Sequence, residues 1–199
     1  MRKKLPLQGM MEVAIFAGFA MLLDLLPKIS PIPSISISLT MVPIFIVAFR
    51  WGFKASVISG FLWGILQIIT GDAWILTPVQ AFIEYFIAFA FIGFAGLFAQ
   101  KVQKAAKENE RLKMSVYATI GMFVGSFARY FWHFIAGVVF FSHYAEEAGQ
   151  TAVFFSFATN GITMLSNFIG CSIVIVTLLL IQPKLLSMYK PQTSWEKAS

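Results

Sequence analysis

Six apolar runs, at approximately 9–26, 37–49, 53–70, 78–99, 115–141 and 152–182, leave this chain few folds to choose from. A run of roughly 20 apolar residues, rising about 1.5 Å per residue as a helix, spans the hydrocarbon core of a bilayer. The chain is 58% hydrophobic and 12% charged over 199 residues, too apolar for a soluble domain of this length. The fold class that follows is an all-α integral membrane protein, a compact bundle of six transmembrane helices forming one domain over residues 1–199. Pro27, Pro31 and Pro33 break the chain after the first run, and the breaks at Arg50–Lys54 and Gly71–Thr77 separate the next ones. Residues 100–113 form the longest polar connection, read as a solvated, partly helical linker, and His143–Gln150 divides the last two runs. The second run is short and carries Pro43, so it is expected to be tilted, irregular or sheltered by its neighbours.

The net charge of +6 is distributed as a topology signal rather than as a nucleic-acid face. With the N-terminus inside, Arg2, Lys3, Lys4, Arg50, Lys54, Lys101, Lys104, Lys107, Arg111, Lys113, Lys184, Lys190 and Lys197 all fall on the inner side. The outer loops hold only Lys28 among basic residues, together with Asp72, Glu146 and Glu147. The expected arrangement is multi-pass in the cell (plasma) membrane with both termini cytoplasmic and residues 100–113 as a cytoplasmic linker. MRKK followed by an apolar stretch resembles a secretory signal, but no convincing small-x-small cleavage site follows the apolar core before Pro27, so this run is expected to persist as the first helix. Cys171 is the single cysteine and lies in an apolar run, which excludes an internal disulfide.

The stretch Trp74–Gly93 carries the strongest chemical signal. Pro78 is suited to open a helix, and Glu84 then lies inside an apolar segment, where a carboxylate costs on the order of 3 kcal/mol and by default faces a partner, a cavity or a ligand. In the expected topology His133 of helix five and Asn160 of helix six fall at a similar outer depth, roughly 13 Å below the surface at the helical rise. Each has a plain structural reading: an ion pair of Glu84 with Arg129, a satisfied core histidine, and an interhelical Asn hydrogen bond of about 1 kcal/mol. Three polar side chains from three helices in one layer favour instead a pocket that opens outward. Tyr85, Trp132, Phe141 and Phe155 lie around this layer, with Trp63 and Trp74 as further candidates; Trp74 reads equally well as an interfacial belt residue. One carboxylate among flat π faces suits a planar heterocycle that is cationic or bears an amine. Arg129 remains open between ligand contact, ion pair and packing, and the role of Asp24 is unassigned.

Missing motifs narrow the function further. There is no G-x-x-x-x-G-K-[ST] loop, so this chain does not hydrolyse ATP, and an energy-driven transport cycle would need its motor in another subunit. No H-E-x-x-H, Cys/His cluster or Ser/His/Asp order points to an enzyme, a metal or a cofactor, although Glu84 and His133 alone could serve as an acid–base pair. In the first run, AIFAGFA places Ala14 and Gly18 in small-xxx-small spacing, a surface for close helix docking.

Three blocks then carry a family resemblance: SLTMVPIFIVAFRWGFKASVISGFLWGILQIITGDAWILTPVQAFIEYFIAFAFIGFAGLF, RYFWHFIAGVVFFSHYA and SFATNGITM. Together they resemble the thiamine-specific S-component of energy-coupling factor (ECF) transporters, over nearly the whole chain. The resemblance implies a six-helix subunit that captures thiamine from outside and works with a transmembrane coupling subunit and two ATPase subunits, docking through Ala14 and Gly18. It implies that Glu84 and Tyr85 engage the substrate, Glu84 at the aminopyrimidine edge. His133 and Gly137 would line the pyrimidine pocket and Asn160 would complete its polar contacts. Arg129, Phe141 and Phe155 complete the candidate set, Phe141 standing where some members have Trp and Phe155 where a Tyr is expected. The alternative within transport is an S-component for another small heterocycle, such as hydroxymethylpyrimidine or pyridoxine.

Overall fold

A computed structural model describes residues 5–27 and 35–186. Arg2, Lys3, Lys4, Lys28, Pro31, Pro33, Lys190 and Lys197, used above for topology and chain breaks, lie outside the described residues. The helices are α1 (Leu7–Asp24), α2 (Val42–Trp51), α3 (Phe53–Thr70), α4 (Pro78–Lys107), α5 (Arg111–Phe140), α6 (Ser142–Glu147) and α7 (Ala152–Ile181), followed by a 3-10 turn at Pro183–Leu186. Five of them, α1, α3, α4, α5 and α7, are long and apolar enough to cross a membrane. The protein is an all-α membrane protein, as expected.

The sixth apolar element behaves differently from the other five. α2 has only 10 residues, and Ile44, Phe45, Val47, Ala48 and Phe49 are fully buried. It is packed by α1, α3, α4 and α7, so its length never has to match a bilayer. The helix expected over 37–49 is replaced by a non-helical stretch at 35–41 and a helix that runs on to Trp51. Gly52, at φ 83°, then turns the chain directly into α3, a left-handed backbone position that glycine adopts without strain.

Charge did not end α4 where the polar linker was expected to begin. The chain stays helical through Lys107 because Ala99, Val102 and Ala105 bury one face while Lys101, Lys104 and Lys107 stay exposed. The connection shrinks to 108–110, where Asn109 takes a positive φ of 56°. The segment 143–150, expected as a simple break, contains the short helix α6.

α4 is not uniform. It contains a π-helical stretch at Phe82–Ile87 and a 3-10 stretch at Ile92–Phe98. Both lie where α4 meets glycines of its neighbours. Gly64 of α3 lies so close to Tyr85 that a Cβ there would stand 2.7 Å from the Tyr85 carbonyl carbon. Such close backbone approach is how membrane helices gain contact without a hydrophobic driving force.

The two ends of the bundle differ. One end gathers the C-termini of α1 and α3, the start of α4 and the turn from α5 through α6 to α7. The other end carries Arg50, Lys54, Lys101, Lys104, Lys107, Arg111, Lys113 and Lys184. At that basic end Glu12 of α1 accepts from Trp51 Nε1 at 2.6 Å and pairs with Arg50 Nε at 2.6 Å, while Arg50 Nη1 donates to the Leu185 carbonyl at 2.6 Å.

Candidate functional site

The site begins with the start of α4. Thr77 caps the helix, its hydroxyl accepting from Gln80 N at 3.1 Å, and Pro78 occupies the first turn. The fully buried Gln80 ties the preceding loop down, donating to the Trp74 carbonyl at 3.0 Å and accepting from Leu76 N at 3.0 Å. Its Nε2 also donates to Oε2 of Glu84. The π-helical stretch that follows presents Glu84 and Tyr85 together, and such widened turns recur at functional sites. Tyr85 OH accepts from Trp74 N at 2.6 Å, a second tie on the same loop.

Glu84 meets α5 through His133, whose Nδ1 lies 3.1 Å from Oε1. On its other side, His133 Nε2 receives the Nε–H of Arg129 at 3.0 Å. A guanidinium only donates, so Nε2 must accept and the imidazole proton sits on Nδ1, directed at Glu84. The guanidinium itself lies over the rings of Phe89 at 4.4 Å and Trp63 at 5.2 Å, with Asp24 and Glu84 as nearby carboxylates. The direct Glu84–Arg129 ion pair weighed above is thus a relay through His133. Each Glu84 oxygen retains accepting capacity for a ligand N–H.

These groups line a cavity of about 260 Å³ at the end of the bundle opposite the basic cluster. Glu84, Tyr85, Arg129, His133 and Asn160 all reach its wall. Asn160 Nδ2 donates to the carbonyl and the hydroxyl of Ser156, both at 3.1 Å. Gly137 is not on the wall but lies behind it, packed so tightly on Ser156 and Asn160 that a Cβ would stand 3.1 Å from Asn160 Nδ2.

Phe141 and Phe155 are not among the residues that line this cavity. Phe141 leaves the helix at the end of α5 and stacks on Tyr144, centroids 6.3 Å apart. Phe155 is five residues before Asn160, about 140° away around α7. Trp132 likewise packs on Phe91 and Phe131 outside the cavity. Trp74 is 61% exposed and contributes its backbone rather than its ring.

Sequence reasoning missed part of the wall. Gln67 of α3 donates to Asp24 of α1, and both line the cavity, which gives Asp24 a place. The hydroxyls of Ser126 and Thr163 are buried on the wall with no hydrogen-bond partner among the described residues. Ser36, Ser38 and Thr40 line it from the non-helical stretch. An i, i+3, i+7 reading of Asn160, Thr163 and Asn167 on one helical face was the available signal. The described residues contain no group of His, Cys, Asp and Glu side chains able to hold a metal ion.

Comparison with known proteins adds a second line. Residues 10–187 match the sequence profile of the family described as thiamine transporter protein (Thia_YuaJ). The thiamine transporter ThiT of Bacillus subtilis (strain 168) is 37% identical over 192 residues, covering 96% of this chain and 100% of the relative. ThiT of Lacticaseibacillus paracasei is 37% identical over 188 residues, covering 93% of each chain. A solved structure of ThiT from Listeria monocytogenes superposes with a TM-score of 0.87 at 42% identity, covering 90% of this chain and 97% of that one.

Proposed function

This chain belongs to the thiamine transporter protein family, and from that premise we propose that it is the substrate-binding subunit for thiamine uptake, with the cavity between α1, α3, α4, α5 and α7 as its binding site. It is a transporter subunit rather than an enzyme. The observation that carries the assignment to this cavity is the Glu84 carboxylate, held by Gln80 and by a histidine whose tautomer Arg129 dictates. Thiamine offers an aminopyrimidine that donates to a carboxylate and a flat cationic thiazolium. Glu84 takes the amino edge in a charge-assisted hydrogen bond, and Tyr85 offers a flat aromatic face beside it. Asn160 supplies a further polar contact, with Gly137 setting its position from behind.

The cavity opens to the cell exterior and both termini lie in the cytoplasm. What supports this orientation is the concentration of Lys and Arg at the opposite end of the bundle. Uptake against a gradient is driven by an ECF coupling subunit and two ATPases that dock on α1. Ala14 is exposed, and a Cβ at Gly18 meets nothing within 4 Å, so this small-residue face is open to a partner helix.

The deciding experiment is titration of the detergent-purified protein with thiamine, hydroxymethylpyrimidine and pyridoxine by calorimetry. A 1:1 complex with thiamine that neither competitor displaces at equal concentration is the expected result. Absence of thiamine binding, or tighter binding of either competitor, overturns the assignment.

A further inference from the structure

One wall of the cavity is built from extended backbone at a depth where the rest of the bundle is helical. Along SISLT the side chains alternate: Ser36, Ser38 and Thr40 line the cavity, whereas Leu39 turns outward, 45% exposed. Two-residue alternation is the mark of a strand-like segment with one polar and one apolar face. Ser38 and Thr40 hydroxyls are 2.9 Å apart, as same-face neighbours. Within a membrane such a segment persists only if its backbone groups find partners inside the protein.

Asn167 of α7 supplies them. Its Oδ1 accepts from Ser38 N at 2.6 Å and its Nδ2 donates to the Ser36 carbonyl at 3.1 Å. A carboxamide that accepts and donates in this way replaces the facing peptide of a neighbouring strand, across more than 120 residues of sequence. Asn167 is itself 9% exposed and lies about two helical turns inward of Asn160, on the same face of α7. The hydroxyl wall carries no charge, in contrast to the Glu84–His133–Arg129 wall.

We propose that Asn167 is a positioning residue for ligand retention: it pins the segment Ile35–Met41 so that Ser36, Ser38 and Thr40 present a neutral hydroxyl wall to the uncharged, hydroxyl-bearing part of the bound ligand. This rests on the thiamine reading, and the part concerned is then the hydroxyethyl group. Asn167 reaches the cavity wall, but its Oδ1 and Nδ2 are both taken by Ser38 N and the Ser36 carbonyl, so its effect passes through that backbone.

The test compares wild type with Asn167→Ala and Asn167→Asp. Hydrogen–deuterium exchange of the amides of 36–40 is read without ligand, and thiamine association and dissociation are read by stopped-flow tryptophan fluorescence. In Asn167→Ala the Ser38 amide should lose protection, and dissociation should speed up about tenfold with association changed far less. Asn167→Asp keeps the acceptor and should retain protection at Ser38 while losing part of the retention. The dissociation penalty should shrink for a thiamine analogue whose hydroxyethyl group is replaced by ethyl. Unchanged exchange at 36–40 in Asn167→Ala overturns the pinning whatever the ligand. Altered exchange with unchanged dissociation, or an equal penalty for both ligands, overturns the link to the hydroxyl group. Failure of wild type to bind thiamine, with exchange altered as expected, instead sinks the thiamine reading and leaves the pinning supported.

Discussion

Arg129 donates its Nε–H to Nε2 of His133 at 3.0 Å, and so decides which nitrogen of that imidazole carries the proton facing Glu84. A cation one helical turn from a histidine thereby orients a carboxylate on another helix without touching it. Arg129 acts through His133, so the two substitutions should not add. In a double-mutant cycle with Arg129→Met and His133→Ala, thiamine affinity of the double variant should be close to that of His133→Ala alone, with a coupling of about 1–3 kcal/mol. Strict additivity, measured by calorimetry, would show that the guanidinium contacts the ligand independently.

Glu84→Gln removes the charge but preserves shape. The new amide also turns one donor toward Gln80 or His133, both of which already donate. Loss of about 1.5–3 kcal/mol is expected, a ten- to hundredfold rise in Kd for thiamine. Unaltered affinity in the same titration would place the amine-recognising group elsewhere.

Gly64 and Gly18 make a matched pair of controls. Alanine at 64 would press on the Tyr85 carbonyl and displace the π-helical stretch, costing about 1–3 kcal/mol and weakening thiamine binding. Alanine at 18 meets open space and should change stability by no more than about 0.5 kcal/mol. Thermal melts in detergent, with and without thiamine, separate the two.

A bulky residue on the open face of α1 should act on assembly alone. Gly18→Trp is expected to leave thiamine affinity of the isolated subunit unchanged and to abolish uptake in cells that contain the coupling module. Uptake at the wild-type rate would remove α1 as the docking helix.

The Glu12–Arg50 pair stands at the end of the bundle away from the cavity, each side chain less than one-fifth exposed. Arg50→Met strands Glu12 with fewer partners and should destabilise the protein by about 3 kcal/mol. Thiamine affinity measured well below the melting temperature should stay at the wild-type value.

Much of the bundle was legible because hydropathy and basic clusters report directly on membrane crossing. Glu84, His133 and Asn160 were legible for the same reason, since a polar side chain in a span must be accounted for, and depth alone brought them together. The extended wall was not, because SISLT runs without a break into the apolar helix and was absorbed into its hydrophobic count. Its two-residue alternation was present but too short to outweigh the run that follows. The helical continuation to Lys107 was hidden by charge, since KVQKAAK looks like linker until Val102 and Ala105 are placed on one face.

The widened turn at Phe82–Ile87 stores one residue more than a regular α-helix would use. Excising a single amino acid there, Ile83 for instance, would let α4 relax into an uninterrupted spiral with better internal bonding. Both flanks would keep their register, since five residues at about 100° each turn the chain as far as six in the widened geometry, and only the residues inside the turn, Glu84 and Tyr85, would be re-aimed. Gln80 would still fasten its loop, but Glu84 would turn away from it. The bundle would lose nothing in its packing, and the carboxylate would no longer stand beside the Tyr85 ring at the mouth of the cavity.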